Sequence, residues 1–351
     1  MTDMAPASPG PLDAPRRRLA RVLVSPQRVI RTVVGLRPFR PSGFRVEAEP
    51  LGDKLLVHNY GHGGCGVTLS WGTASLAIDR IVESGRGGPV AVIGCGAVGL
   101  ATGRLLQTRG FEVTIHARAL PPETTSNVAG ALWYPHLIVD DGRRTAAFDA
   151  RFESAARFAH RYFQGLVGDD YGVCWRQQYF LSRAPMPDSW DIALLKDLFP
   201  EARRLAPGEH PFGVPHVMVD RMMFIDPTVY LEAVLRDFRL AGGRVRIQSL
   251  ASPVDVAALP EQVVVNCTGL GARELFDDGE LTPVKGQLTV LLPQPEIDYA
   301  WLNDEDLYMF PRRDGVLLGG THEPGVESLE PNRAAERRIL ESHQAVVDGM
   351  A

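Results

Sequence analysis

Cysteine is scarce in this 351-residue chain: Cys65, Cys95, Cys174 and Cys267 lie scattered, with no CxxC pair and no metal-type spacing. That pattern excludes a disulfide framework and a thiolate metal centre, and it points to a reduced, cytosolic setting. Long apolar runs are missing too, because Gly, Pro or a charge interrupts each one; a membrane-spanning helix is therefore not expected. Neither sign of charge dominates. The formal net charge of -5 offers no field to draw in nucleic acid or an acidic membrane. Internal repeats are absent. What is present is ordinary for a folded enzyme: 45% hydrophobic and 23% charged residues, and length enough for roughly two domains.

The N-terminal stretch "MTDMAPASPGPLDAP" (1–15) reads as a disordered tail rich in Pro, Ala and Ser. From Arg16 to Arg40 there are eight arginines and no acid, a composition that organellar transit peptides share. The preferred reading is a helix over 16–34, with Leu19, Val22, Leu23, Val29, Ile30 and Val33 spaced for one face and Pro26 dividing it. Further on, "DKLLVHNY" reads as a strand, "GHGGCG" as a tight loop and "VTLSWGTASLAIDRIVE" as a helix. After a linker, "ESGRGG" (83–88), a buried strand to Ile93, a helix over Val98–Gln107 and a strand over Phe111–His116 make a βαβ unit. Residues 143–200 are aromatic-rich and partly helical. Later segments give a strand, a Pro-started helix, the buried strand of "QVVVNCTGLGA", antiparallel strands around "PVKGQLTVLL" and "LYMFPRRDGVLLGGT", and a closing amphipathic helix.

The βαβ unit carries Gly94-x-Gly96-x-x-Gly99 between strand and helix, the context a dinucleotide cradle needs. Gly94 allows the turn, Gly96 the approach of a pyrophosphate, and Gly99 the packing of helix on strand; the N–H groups near Ala97 and Val98 face the phosphates. An acid should end the second strand to hold the ribose hydroxyls. Here "TIHAR" puts Ala117 and Arg118 there, and an Arg suits a 2′-phosphate. By this unit alone, NADP and FAD both remain open.

The other motifs separate them. "GLRPFRP", "VHNYGHGGCGVTLSWGTA", "TTSNVAGALWYPH", "VNCTGLGA", "VKGQ" and "YMFPRRDGVLLGGT" resemble the D-amino-acid oxidase family of FAD enzymes, over nearly everything from about 30 to 325. In that family the GLRP and HNYGHGG segments follow the GGT segment, whereas here they come first. The sequence looks like a circular permutant. The resemblance implies an α/β fold: a Rossmann-type FAD-binding domain with a mixed, largely antiparallel α+β substrate domain. The expected segments are 16–82 (clamp Arg, flavin loop and helix), 89–142 and 221–272 (FAD-binding), 143–220 and 273–325 (substrate), and 326–351 (closing helix).

By the same resemblance, FAD is held non-covalently by the Gly61–His62–Gly63–Gly64–Gly66 loop, by Thr68 at the flavin's pyrimidine edge, and by Gly269. The second flavin-contact loop matches Thr124, Thr125, Ser126, Ala129, Gly130, Ala131 and Leu132, with Ala131 where the family has glycine. Arg37 matches the residue that grips the substrate carboxylate, Tyr308 the hydroxyl on its other side, and the Gly64 carbonyl the acceptor for the amine. A planar guanidinium suits a carboxylate because it binds both oxygens at once. His58 and His62 read as structural, Cys65 as a packed residue, and Trp133 with Tyr134 as pocket walls. Asp304 stands where mammalian members carry a lid tyrosine, so Asp304, Glu305 and Asp306 are expected to crowd the entrance. The implied reaction is oxidation of a D-amino acid by FAD with oxygen as acceptor. A glycine or secondary-amine oxidase, a dehydrogenase of the same fold, and a flavin-binding protein without catalysis stay open as alternatives, as does the oligomeric state.

Overall fold

The computed structural model describes residues 19–130, 132–186 and 189–351. In chain order the strands are β1 Val29–Phe39, β2 Arg45–Leu51, β3 Lys54–Tyr60, β4 Val90–Ile93, β5 Val113–Ala117, β6 Val173–Ser182, β7 Arg203–Leu205, β8 His216–Ile225, β9 Arg244–Ile247, β10 Val263–Asn266, β11 Thr282–Leu291, β12 Tyr299–Asn303, β13 Tyr308–Arg312, β14 Gly315–Gly319 and β15 Glu323–Pro324. The α-helices are α1 Gly66–Glu83, α2 Ala97–Thr108, α3 Ala146–Gln164, α4 Trp190–Leu195, α5 Pro227–Leu240, α6 Pro253–Ala257, α7 Gly271–Leu275 and α8 Arg333–Asp348.

Two sheets organise the molecule. The six-stranded sheet runs β2-β3-β10-β4-β5-β9 and is parallel apart from β2. Its central strands are fully buried, which is why "VAVI" and "VVVN" read as unbroken apolar runs. α1, α2, α3 and α5 pack over one face, where Trp71, Leu100, Phe152 and Phe238 are buried in one core. The second sheet runs β1-β11-β14-β13-β12-β6-β8-β7, with β15 on β11; it is antiparallel except at β12–β6. No described helix is long and apolar enough to cross a membrane.

Of the helix expected over 16–34, the described residues keep only one 3-10 turn, Pro26–Arg28. Val29–Phe39 is an eleven-residue strand paired with β11 from Val29↔Leu291 to Phe39↔Thr282, and residues 19–25 form no helix. β-branched Val29, Ile30, Thr32, Val33 and Val34 suit a pleated surface, and a long-range partner decides between the two periods. Leu19 and Val22 are nonetheless buried with Leu340, Val347 and Met350 of the chain's end, and Arg21 donates to the Met350 carbonyl. The expected tail, 1–15, lies outside the described residues. The boundary expected after residue 220 falls inside β8, which joins β6 and β7 in the larger sheet.

Candidate functional site

Two helix N-termini meet at the edge of the six-stranded sheet. α2 starts after Gly96 and α1 after Cys65; neither has a side-chain cap at that position or an acid in its first turn. A Cβ on Gly66 would lie 4.0 Å from Val98, so the two ends are neighbours. Both therefore offer partly positive ends to one ligand. The cradle glycines are needed on steric grounds. A Cβ on Gly94 (φ +107°) would sit 2.5 Å from the Cys267 carbonyl, and one on Gly99 2.1 Å from the Gly94 carbonyl. Ser126 closes the cradle, its Oγ accepting from the Ala97 N–H at 3.0 Å and lying 3.0 Å from where a Gly96 Cβ would be. Two adjacent helix N-termini beside tightly packed glycines fit a pyrophosphate and an electron-rich ring edge, as FAD presents.

The loop expected to hold the flavin follows β3, whose neighbour β10 places it beside the cradle. Gly61 (φ +84°) and Gly63 (φ +55°) take conformations that other residues rarely adopt. His62 turns its ring inward: Nε2 lies 2.9 Å from Thr73 Oγ1, the ring stacks on Phe44, and burial lowers its pKa to about 3. It is a neutral structural residue, and a proton-transfer role does not fit it. Cys65 donates to the His136 carbonyl at 3.1 Å, and burial raises its pKa to about 12, so it packs as a neutral thiol. Thr68 is buried in the first turn of α1, its hydroxyl 3.4 Å from the Leu132 carbonyl. Gly269 (φ +59°) turns the chain after β10 beside Pro38.

β1 and β13 bring Arg37 and Tyr308, the expected clamp residues, to this loop. A Cβ on Gly64 would lie 3.5 Å from Arg37 Cδ, and Arg37 Nη1 is 3.4 Å from the Thr321 carbonyl. A Cβ on Gly130 would touch both Phe310 and Tyr308, and one on Gly35 would meet Val128. Arg37, Gly64, Gly130 and Tyr308, distant in sequence, thus border one space. Burial raises the Tyr308 pKa, and the nearby Arg37 charge opposes that rise.

Other expected residues vary in their surroundings. Arg118 is exposed at the end of β5, and Thr125 is also exposed. The Thr124 hydroxyl donates to Asn127 at 2.7 Å. Ala129 offers its carbonyl to Arg312 at 3.1 Å, and Ala131 lies outside the described residues. Trp133 is not a pocket wall: it is buried against His160, whereas Leu132 and Tyr134 join Phe180, Met218, Leu302 and Tyr308 in a separate apolar cluster. Asp304 is exposed, and its carboxylate accepts from Ser182 Oγ at 2.8 Å and from the Arg183 N–H at 3.0 Å.

Two glycines escaped the reading of the sequence. A Cβ on Gly286 would fall 2.6 Å from Arg37 Nη1, and one on Gly319 2.0 Å from Tyr308 Cζ. They sit in "VKGQ" and "GGT", segments whose likeness was visible while their steric purpose was not. His136 was missed as well; its Nδ1 lies 2.6 Å from buried Asp191.

The profile of the DAO family, FAD dependent oxidoreductase, matches residues 2–80 and 89–350. The chain is 31% identical to a D-amino-acid oxidase of Dictyostelium discoideum over 255 residues, 71% of this chain and 70% of that one. It is 33% identical to a D-amino-acid oxidase of Streptomyces coelicolor over 272 residues, 74% and 78% of the two chains. In fold it is similar to the crystal structure of glycine oxidase from Geobacillus kaustophilus (TM-score 0.56, 17% identity, 74% and 78% covered). A cradle fitted to a dinucleotide, two open helix ends and these likenesses agree, and the chain belongs to the DAO family of FAD dependent oxidoreductases.

Proposed function

We propose that this enzyme oxidises D-amino acids, and the observation that carries the reading is the meeting of Arg37, Tyr308 and Gly64 beside the two helix ends. Arg37 grips the substrate carboxylate, with the Tyr308 hydroxyl on its other side. The Gly64 carbonyl accepts from the amine. Three fixed points leave one enantiomer with its Cα–H toward the space between the N-termini of α1 and α2, so orientation supplies most of the catalysis. FAD, when bound there, would supply the hydride acceptor and the route for the electrons to oxygen. The products are an imino acid, which hydrolyses to a 2-oxo acid and ammonia, and hydrogen peroxide. Leu132, Tyr134, Phe180, Met218 and Leu302 extend the Tyr308 side as an apolar wall, which favours uncharged side chains. FAD is held without a covalent bond, since the Cys65 thiol stays neutral.

The same reading includes a circular permutation. The two matched blocks flank residues 81–88, which contain the expected linker, and β1 and β3 pair with β11 and β10 from the far end of the chain. A peroxide assay on purified protein, with a panel of D- and L-amino acids, glycine and sarcosine, tests the function. Peroxide from neutral D-amino acids is expected; turnover of glycine or sarcosine alone would refute the assignment.

A further inference from the structure

Between the clamp strand and the flavin loop lies one buried carboxylate. Asp278, 8% exposed, sits in the turn between α7 and β11. Its Oδ2 accepts two hydrogen bonds, from the Tyr60 hydroxyl at 2.7 Å and from Arg40 Nε at 3.0 Å, while Oδ1 accepts from the Glu280 N–H at 3.1 Å. Burial alone would raise its pKa, but the bonds from Tyr60 and Arg40 outweigh that and hold it below the usual carboxylate range. Arg45 Nη1 also donates to the Tyr60 hydroxyl at 3.1 Å, so the polar chain continues to β2. Glu280 pairs with the other arm of Arg40 at 3.1 Å.

The two donors stand at telling positions. Tyr60 is the last residue of β3 and immediately precedes Gly61, where the flavin loop begins. Arg40 lies three residues beyond Arg37, just past the end of β1. The stem of Arg40 also backs Gly61, its Cδ 3.2 Å from where a Cβ would be. Next to these contacts, Phe39 and His62 form an isolated antiparallel bridge. The clamp strand and the flavin loop thus converge on one oxygen of Asp278.

We propose that Asp278 is a positioning residue that sets the spacing between the carboxylate clamp and the flavin loop. It touches neither substrate nor cofactor. It acts through Arg40 on the end of the strand that carries Arg37, and through Tyr60 on the loop that carries Gly64. Substrate held on Arg37 presents its Cα–H correctly only if these two segments keep their separation, and misplacement on the scale of 1 Å is enough to slow a transfer step greatly. Weakening the tie should therefore cost rate more than binding. The inference rests on the proposed amino-acid oxidation.

The test uses the FAD-loaded enzyme carrying Asp278→Asn, which keeps the volume and removes the charge. Two quantities are read: the limiting rate of anaerobic flavin reduction by the fastest D-amino acid of the panel, and the dissociation constant of benzoate, a carboxylate with no hydride to give. The rate should fall about tenfold or more, while benzoate binding changes by less than about threefold. Tyr60→Phe, which removes one of the two bonds, should show a smaller fall. The double variant should be no slower than Asp278→Asn alone, because both changes break one connection. A purely structural role would lower the melting temperature and leave the limiting rate at the parent value, which would overturn the proposal. If Asp278→Asn yields no soluble enzyme, Tyr60→Phe decides: a slowed reduction supports the tie and an unchanged one overturns it. A parent enzyme that no D-amino acid reduces overturns the proposed function, and this inference with it.

Discussion

Gly286→Ala adds one methyl group behind the clamp, and the structure states what it meets. The new Cβ would stand 2.6 Å from Arg37 Nη1 and 2.8 Å from both Cζ and Nη2. Ordinary contact between such atoms needs roughly 3.5 Å, so the guanidinium must retreat by roughly 1 Å. Retreat carries it toward the space the carboxylate should occupy, because Gly64 and the Thr321 carbonyl border it on other sides. A shift of that size costs about a hundredfold when it disturbs a near-attack geometry. The strand itself should tolerate alanine, since Gly inside a strand is weakly unfavourable. The expected outcome is a fall of about a hundredfold in kcat/KM for a neutral D-amino acid, with FAD content and melting temperature near the parent's. Gly87→Ala, at a position with open space around it, is the control. Parent-like kcat/KM in Gly286→Ala would refute the placement of Arg37 as the carboxylate clamp.

Three further outcomes follow from the site and its surroundings. Arg37→Ala should lower kcat/KM by about two orders of magnitude or more and Tyr308→Phe by less, because the first removes a charge-assisted pair and the second one hydroxyl; equal losses in steady-state kinetics would contradict the division of roles. Gly99→Ala drives a methyl into the Gly94 carbonyl at 2.1 Å, so the protein should purify with little FAD, and a yellow preparation at full flavin content would count against the cradle. Asp220 is 2% exposed, accepts from the Arg221 N–H at 2.7 Å, and burial raises its pKa to about 6. The fold then holds a proton that the unfolded chain releases, so stability falls as pH rises from about 4 to about 6, by at most about 3 kcal/mol. Asp220→Asn should raise the melting temperature by a few degrees at pH 8 and not at pH 4; an equal gain at both would refute the buried-proton account.

Much of the fold was legible because local signals agreed with tertiary demands. The cradle strand, its helix and the strand after it carry glycine spacing, apolar runs and length that all point one way. The N-terminal strand was not legible for the opposite reason. Val29, Ile30 and Val33 satisfy a helical stripe, while pairing with Leu291 through Thr282 satisfies the ladder of the larger sheet. Sequence spacing cannot weigh a partner 250 residues away. Side-chain direction was a second limit. Trp133 and Tyr134 are consecutive, yet one turns into the helical core and the other into the apolar cluster that includes Tyr308. What anchors Asp304 was equally hidden: Ser182, at the end of β6, and Arg183, just beyond it, donate to its carboxylate. The glycines behind Arg37 and Tyr308 carry no local signal at all, since their purpose lies across the sheet.

The order of the motifs along the chain matters less than which strands lie side by side. β3 stands between β2 and β10, and β10 in turn neighbours β4, so the flavin loop after β3 and the cradle after β4 open on the same edge of one sheet. β1 lies on β11 in the other sheet, so Arg37 and Gly286 are brought together by backbone pairing and not by nearness in sequence. Neither arrangement requires that residues 29–83 follow or precede the rest; it requires only that both ends of that block reach their partners. At one end, Leu19, Val22 and Arg21 meet the last turn of α8 and Met350. At the other, exposed residues 85–88 lead from α1 directly into β4, with positive φ at Gly85 and Gly88. A segment of that kind tolerates a new join because few contacts cross it. The proposed permutation therefore asks for no rearrangement of the site: the pairings that assemble Arg37, Gly64 and Tyr308 lie wholly within the two sheets, and the join at 85–88 lies outside both.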